Sequence, residues 1–90
     1  MKEAWLKCEL SNGMFPDENG VYFKDVSNQE VSLFCYKDLV DEKSATLKVK
    51  ILNEKGDSYD VRLPVDTFNG FSIVTVNKCQ LTNIRELQSV

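Results

Sequence analysis

Residues 48–63 read KVKILNEKGDSYDVRL, and apolar and polar side chains alternate on both sides of a central Asn-Glu-Lys-Gly. Alternation with a period of two is typical of a β-strand with one buried face, because successive side chains point to opposite sides of a sheet. A glycine that follows three turn-forming residues often takes the left-handed conformation and closes a three-residue hairpin loop. The stretch therefore predicts a β-hairpin whose loop is residues 54–56.

The predicted loop also sets which residues of the hairpin face each other, with Asn53 opposite Asp57. On one face the pairs are apolar: Ile51 with Tyr59, Val49 with Val61, Leu47 with Leu63, and Ala45 with Val65. On the other face they are mostly polar: Lys50 with Asp60, Lys48 with Arg62, and Leu52 with Ser58. A slip of one residue would turn the polar row toward the core. This register therefore predicts one buried face and one solvated face.

The rest of the chain shows the same period of two and no internal repeat. Residues 4–10 predict a first strand, residues 21–26 and 30–40 predict a second hairpin, and residues 71–76 predict a last strand. Residues 11–20 contain Gly, Asn and Pro and are expected to form a long loop. The expected architecture is thus a series of short antiparallel strands.

Two segments near the C-terminus depart from the alternating strand pattern. The first has two possible structures, and the second is expected to be helical. Residues 65–68 are expected to form either a strand, folded back by a type I′ turn at Asn69-Gly70, or a short helical turn. The tail from Thr82 is expected to form one or two helical turns, because Thr is a good N-cap and Ile84 and Leu87 are three residues apart.

The composition fits one small globular domain. The 90 residues are 42% hydrophobic and 28% charged, so we expect a single β domain over residues 1–90. We predict an all-β fold: a small antiparallel barrel or roll of five to six strands, similar in outline to the SH3 architecture, with a short C-terminal helix. An OB-type barrel or a small sandwich is the alternative. Neither the acidic-aromatic motif of signalling SH3 domains nor a basic KOW-type loop is present, so the outline implies no function.

The sequence contains few residues suited to catalysis or metal binding. The chain contains no histidine, which removes the usual general base and excludes Cys-His and Ser-His nucleophile pairs. Three widely spaced cysteines, Cys8, Cys35 and Cys79, lack the spacing of a zinc site and are expected to be small buried hydrophobes. We therefore expect no enzyme activity, no cofactor and no metal.

Charges at the N-terminus and the absence of long apolar runs bear on location. Lys2, Glu3, Lys7 and Glu9 interrupt the apolar core that a signal peptide would need. No stretch approaches the length of a transmembrane helix. We expect a cytoplasmic protein that does not contact the membrane.

Aromatic residues outside the core pattern suggest a first candidate binding surface. Trp5, Phe15, Tyr22 and Tyr36 would form an aromatic surface beside the acidic residues of the first loop. Exposed aromatic patches commonly mark partner surfaces, and the partner would be another protein, a peptide or a second copy of the chain. The alternative interpretation is that these side chains cover a second small core.

Basic residues on the predicted solvated face suggest a second candidate surface. Lys48, Lys50 and Arg62 would share the outer face of the central hairpin and present cations to nucleic acid. The formal net charge of −3 argues against a general affinity for nucleic acid. The leading functional prediction is therefore a non-catalytic protein-interaction or regulatory module, and a nucleic-acid-binding small barrel is the alternative.

Overall fold

The computed structural model describes residues 1–86 as an antiparallel all-β fold. Its strands are β1 (Lys2–Lys7), β2 (Glu9–Asn12), β3 (Glu18–Lys24), β4 (Glu30–Tyr36), β5 (Val40–Asp41), β6 (Thr46–Lys55), β7 (Ser58–Arg62), β8 (Ile73–Asn77) and β9 (Leu81–Glu86). Two single 3-10 turns, Lys37–Leu39 and Lys78–Gln80, precede β5 and β9. The described residues contain no α-helix, so the prediction of an all-β fold is confirmed. Accordingly, no helix in this part of the chain is long and apolar enough to cross a membrane.

The strands form two antiparallel sheets. One has the order β8-β7-β6-β1-β9, with β5 paired to β6 beside that path, and the other has the order β2-β3-β4. Within residues 1–86 no strand pairing joins the two sheets, and no closed barrel is formed. The finer prediction of an SH3-like barrel therefore stays a prediction.

The predicted first strand is divided between the two sheets at Cys8. β1 pairs with β6 and β9, whereas β2, which begins one residue later, pairs with β3. The Cys8 N–H donates to the Ala45 carbonyl at 3.0 Å, which holds the point where the chain crosses from one sheet to the other. β2 also extends into the segment predicted as a long loop, and only residues 13–17 remain outside strands there.

Both sheets contribute to one hydrophobic core, because the apolar side chains on one face of each sheet point inward. The six-stranded sheet supplies Ala4, Leu6, Val40, Leu47, Val49, Ile51, Tyr59, Val61, Val76 and Leu81, and the three-stranded sheet supplies Val21, Phe23, Val31, Leu33 and Cys35. Val49 is 2% exposed and Val61 is 0% exposed, so the predicted inward face of the hairpin is confirmed.

The register of that hairpin differs from the prediction at its loop and at a bulge. Lys55 pairs with Ser58, so the loop has two residues and begins at Gly56 rather than at Glu54. Gly56 has a φ of +69°, and glycine in the first position of a two-residue loop is typical of a type II′ turn. The pairing then shifts by one residue between Ile51 and Asn53, which leaves Leu52 as the extra residue of a β-bulge.

Beyond the bulge, each residue of β6 faces a β7 residue two positions later than predicted. Ile51 faces Val61 instead of Tyr59, and Lys50 faces Arg62 instead of Asp60. An even shift keeps every side chain on its predicted face, because side chains alternate with a period of two. The prediction of which residues are buried is therefore correct, but the residues that face each other on the outer face differ from the prediction.

Residues 65–68 form neither the strand nor the helical turn that the sequence predicts. Gly70 N–H donates to the Thr67 carbonyl at 2.9 Å, and Thr67 N–H donates to the Phe71 carbonyl at 2.7 Å. Gly70 has a φ of +83° while Asn69 has no positive φ. This pattern is that of a three-residue loop with a left-handed glycine at its end, and it replaces the predicted type I′ turn.

The predicted C-terminal helix is wrong over residues 82–86, which belong to β9. That strand pairs with β1 and so supplies backbone partners to what would otherwise be an exposed edge. A single N-cap residue is a weak local signal, and pairing with a strand distant in the sequence overrides it. The predicted contribution of Leu87 lies outside the described residues.

Candidate functional site

The structure places Trp5 on one sheet and Tyr22 and Tyr36 on the other, with Phe15 in the loop before β3. Trp5 is half-buried on the outer face of the six-stranded sheet, and Tyr22 is half-buried on the outer face of the three-stranded sheet. Phe15 and Tyr36 are 62% and 58% exposed. Trp5 is therefore not part of one surface with the other three.

Phe15 and Tyr36 lie near each other at one end of the three-stranded sheet. Tyr36 is directly opposite Glu18, and the Glu18 N–H donates to the Phe15 carbonyl at 3.0 Å. Tyr22 lies further along the same sheet, where its hydroxyl donates to Glu30 Oε1 at 3.1 Å. Burial and this hydrogen bond raise the pKa of Tyr22. The end of the sheet that carries Phe15 and Tyr36 thus combines two exposed aromatic rings with the Glu18 carboxylate.

Trp5 instead shares a face with the predicted basic residues. It lies directly opposite Lys48 on β6 and Thr82 on β9. Lys50 and Arg62 project from the same face and are exposed. The structure therefore joins one residue of the aromatic hypothesis to all three residues of the basic hypothesis.

A buried carboxylate lies at the centre of this basic face. Glu3 is 3% exposed, and its Oε1 accepts a hydrogen bond from Arg85 Nε at 2.7 Å, while Arg85 Nη2 lies 2.7 Å from the same oxygen. Lys48 Nζ lies 3.6 Å from the other carboxylate oxygen. The hydrogen bond from Arg85 lowers the pKa of Glu3 despite its burial. Glu3 is thus held as an anion between two cations.

Arg85 also belongs to the basic face, although the sequence does not indicate this, because Arg85 lies in the segment predicted as a helix. In β9 the pairing with β1 shifts by one residue between Glu3 and Trp5, and Asn83 has a φ of +52°. This bulge places Arg85 directly opposite Glu3.

A groove that the sequence did not predict runs between β4 and β8. Each of these strands is at the end of its sheet, so each has one edge without a neighbouring strand. The groove has a volume of about 530 Å³ and includes Val31 and Val74 in its lining. Two backbone hydrogen bonds cross between its walls: Val26 N–H to the Thr75 carbonyl at 2.8 Å, and Phe68 N–H to the Ser32 carbonyl at 3.0 Å.

Large apolar side chains surround this groove without being buried. Val26 is 41% exposed, Phe68 65%, Phe71 64% and Ile73 49%. The Phe68 ring also contacts Phe34 edge to face, with 5.1 Å between ring centroids, which fixes one side of the groove. Two of the lining residues, Asp25 and Glu30, are acidic, and none is basic.

The sequence contains a signal for the exposed aromatic residues of this groove. Phe68 and Phe71 flank the turn residues Asn69-Gly70, and two large apolar side chains at a tight turn have little core within reach. The sequence does not predict that β4 and β8 lie across from each other, because strands about 40 residues apart come together only in the folded chain.

The cysteines differ from one another in exposure. Cys35 is buried and Cys8 is partly buried, as expected, but Cys79 is exposed in the 3-10 turn before β9. Burial raises the pKa of Cys8 to about 12 and that of Cys35 to about 11. Thiols with such raised pKa values are poor nucleophiles near neutral pH.

No protein-family model, no curated protein and no solved structure matches this chain. Functional conclusions therefore depend on the geometry of the groove and of the basic face.

Proposed function

We propose that this protein is a non-catalytic interaction module that binds an extended segment of a partner protein in the groove between β4 and β8. The observation that carries this proposal is that two open strand edges face each other across a groove surrounded by exposed apolar side chains. Binding of this kind adds a strand to an existing sheet, with main-chain hydrogen bonds for affinity and side-chain pockets for specificity.

The backbone supplies the hydrogen-bonding groups that such a segment needs. In an antiparallel sheet, the N–H and C=O of successive residues point alternately toward and away from a given neighbour. The Ser32 and Thr75 carbonyls accept hydrogen bonds from the N–H groups of Phe68 and Val26, so their edges face the groove, although these two acceptors are already occupied. By the same alternation, the backbone groups of Glu30, Phe34 and Ile73 also point away from β3 and β7.

The side chains supply apolar contact area. Phe68, Phe71 and Ile73 are each about half exposed or more, and aromatic residues beside a pocket are the usual energetic centres of protein interfaces. A strand added between β4 and β8 would also continue both sheets, and the assembly would come closer to the predicted barrel or roll.

The test is a selection of random peptides on the wild-type protein, followed by titration calorimetry on variants. Peptides selected for binding should lose at least about tenfold in affinity to Phe71→Ala and to Phe68→Ala, as expected for truncated interface aromatics. Phe15→Ala is the matched control, since it removes an equally exposed ring outside the groove. The proposal fails if Phe15→Ala weakens binding and the two groove variants do not, or if no peptide is enriched.

A second candidate function is binding of single-stranded nucleic acid by the basic face. The observation that favours it is the position of Trp5 directly opposite Lys48, because base stacking on an aromatic ring beside cations is the usual mode of such binding. Trp5 is the single tryptophan of the chain, so its fluorescence reports on this face alone.

Titration with an oligothymidylate at several salt concentrations tests this candidate. Binding should quench the Trp5 fluorescence, and the affinity should fall steeply as salt is added. Unchanged fluorescence at low salt, or an affinity insensitive to salt, would exclude it.

A further inference from the structure

Two cations face each other on the basic face without an anion between them. Lys50 on β6 lies directly opposite Arg62 on β7, and both are exposed. Like charges directly opposite each other destabilise a sheet. Among residues 1–86, neither side chain forms an ion pair.

The nearby carboxylates are engaged elsewhere. Glu3 lies opposite Lys50 on its other side, but its two oxygens are held by Arg85 and Lys48. Asp60, the residue that the sequence predicted opposite Lys50, lies instead opposite Asn53 and pairs with Lys55 at 3.0 Å. No carboxylate of residues 1–86 pairs with Lys50 or Arg62, so the two cations are available to a bound anion.

The surface beside the pair has room for such an anion and an apolar floor. A depression of about 330 Å³ lies there, and its lining includes Leu39, Leu63 and Pro64 together with Lys50 and Arg62. The Glu3 carboxylate also lines it, but Arg85 and Lys48 offset that negative charge. Apolar walls lower the local dielectric and strengthen attraction between charges. An arginine fork donates two parallel hydrogen bonds to phosphate oxygens, and lysine adds a point charge.

We infer that Lys50 and Arg62 bind a phosphate group between them. The ligand class is a phosphate ester whose apolar part rests on Leu39 and Pro64. Lys48, which is balanced in part by Glu3, lies at the rim of the same depression and contributes less. This site is separate from the groove and does not require that the protein bind nucleic acid.

Titration of the isotope-labelled protein with inorganic phosphate and with phenyl phosphate tests the inference, at constant ionic strength set with sodium chloride. Saturable NMR shifts are expected at Lys50 and Arg62, and phenyl phosphate should bind several-fold more tightly because its ring covers the apolar floor. Lys50→Gln and Arg62→Gln should each weaken binding about tenfold, since each removes a charge-assisted contact. Lys43→Gln, an exposed lysine outside the depression, is the matched control and should change nothing.

Thermal unfolding gives a second readout that does not depend on NMR assignment. Phosphate should raise the Tm of the wild type but not of Lys50→Gln or Arg62→Gln, and both variants should be at least as stable as the wild type in low salt. Shifts that do not saturate, that chloride reproduces, or that spread over all lysines would mean an adventitious ion only and would overturn the inference.

Discussion

Glu3 illustrates how a single residue can depend on partners far away in the sequence. Its carboxylate is almost completely covered, and an unpaired charge in such a place would strongly destabilise the fold. Arg85 and Lys48 supply the compensating charges from β9 and β6. The ion pair therefore ties the N-terminal strand to both of its neighbours.

The pairing of Glu3 predicts a pH dependence of stability. Because its pKa in the folded state is lowered, Glu3 contributes stability above its unfolded-state pKa of about 4.3, and this contribution is lost as the pH falls through the folded-state pKa. Asp60, whose pKa is lowered by hydrogen bonds from Thr75 and Lys55, acts in the same direction.

Urea unfolding of the wild type and Glu3→Gln between pH 7 and pH 3 measures this effect. The variant should be clearly less stable at pH 7, and the difference should shrink as the pH falls below about 4. Lys48→Gln is the control and should lose less stability, because its contact is longer than those of Arg85. A difference that stays constant with pH would contradict the assignment.

At the scale of elements, the bulge in the β6–β7 hairpin allows one strand register near the loop and another in the core. Near the loop, Glu54 pairs with Tyr59, so an exposed residue lies opposite a buried one. Without an extra residue, that register would continue and place Leu52 opposite Val61. The bulge at Leu52 returns Ile51 to this position and so keeps the two buried residues together.

Deleting single residues of β6 tests this account. Removal of Leu52 should leave a folded protein with a modest loss of stability, because the flanking pairs can continue as a regular ladder. Removal of Lys50 should abolish folding or reduce stability severely, because it turns Val49 and every earlier core residue of β6 to the other face. Far-UV circular dichroism and thermal melts distinguish the two, and equal damage from both deletions would contradict the role of the bulge.

At the scale of the whole molecule, the two sheets share one core. Leu33 in the three-stranded sheet is 1% exposed and Leu47 in the six-stranded sheet is 0% exposed, and both belong to the same cluster of buried residues. The chain crosses between the sheets at Cys8 without a break longer than one residue. The sheets are therefore expected to unfold together.

Leu33→Ala and Leu47→Ala test this cooperativity. Each should lower the free energy of unfolding by about 2–5 kcal/mol, the range for truncating a fully buried leucine. Circular dichroism and Trp5 fluorescence should give coincident unfolding curves in both variants. Non-coincident curves in Leu33→Ala alone would show that the three-stranded sheet unfolds separately.

The reactivity of the thiols reports on the same global transition. Cys79 is exposed and should react with Ellman's reagent in the native protein, whereas Cys8 and Cys35 should react only after unfolding. One fast equivalent is therefore expected in buffer and three in denaturant. Cys79→Ser is the control and should remove the fast equivalent. Rapid reaction of two thiols in the native state would contradict the protection of Cys8, and rapid reaction of all three would also contradict that of Cys35.

The sequence by itself determined the all-β character and the side of each hairpin residue that faces the core. These features depend on the period of two along each strand, which is local and survives a register shift of two residues. Val49 and Val61 are buried as predicted for this reason. Basic residues at positions 48, 50 and 62 likewise fall on the predicted outer face.

The tertiary structure alone decided which strands are neighbours and which charges meet. The strand at residues 81–86 forms because β1 offers an open edge, and the cation pair of Lys50 and Arg62 exists because a bulge changes the register. The groove between β4 and β8 exists because two sheet edges meet across the fold. Each of these depends on contacts between distant segments, and a local pattern of side chains carries no information about the partner that an open strand edge will find.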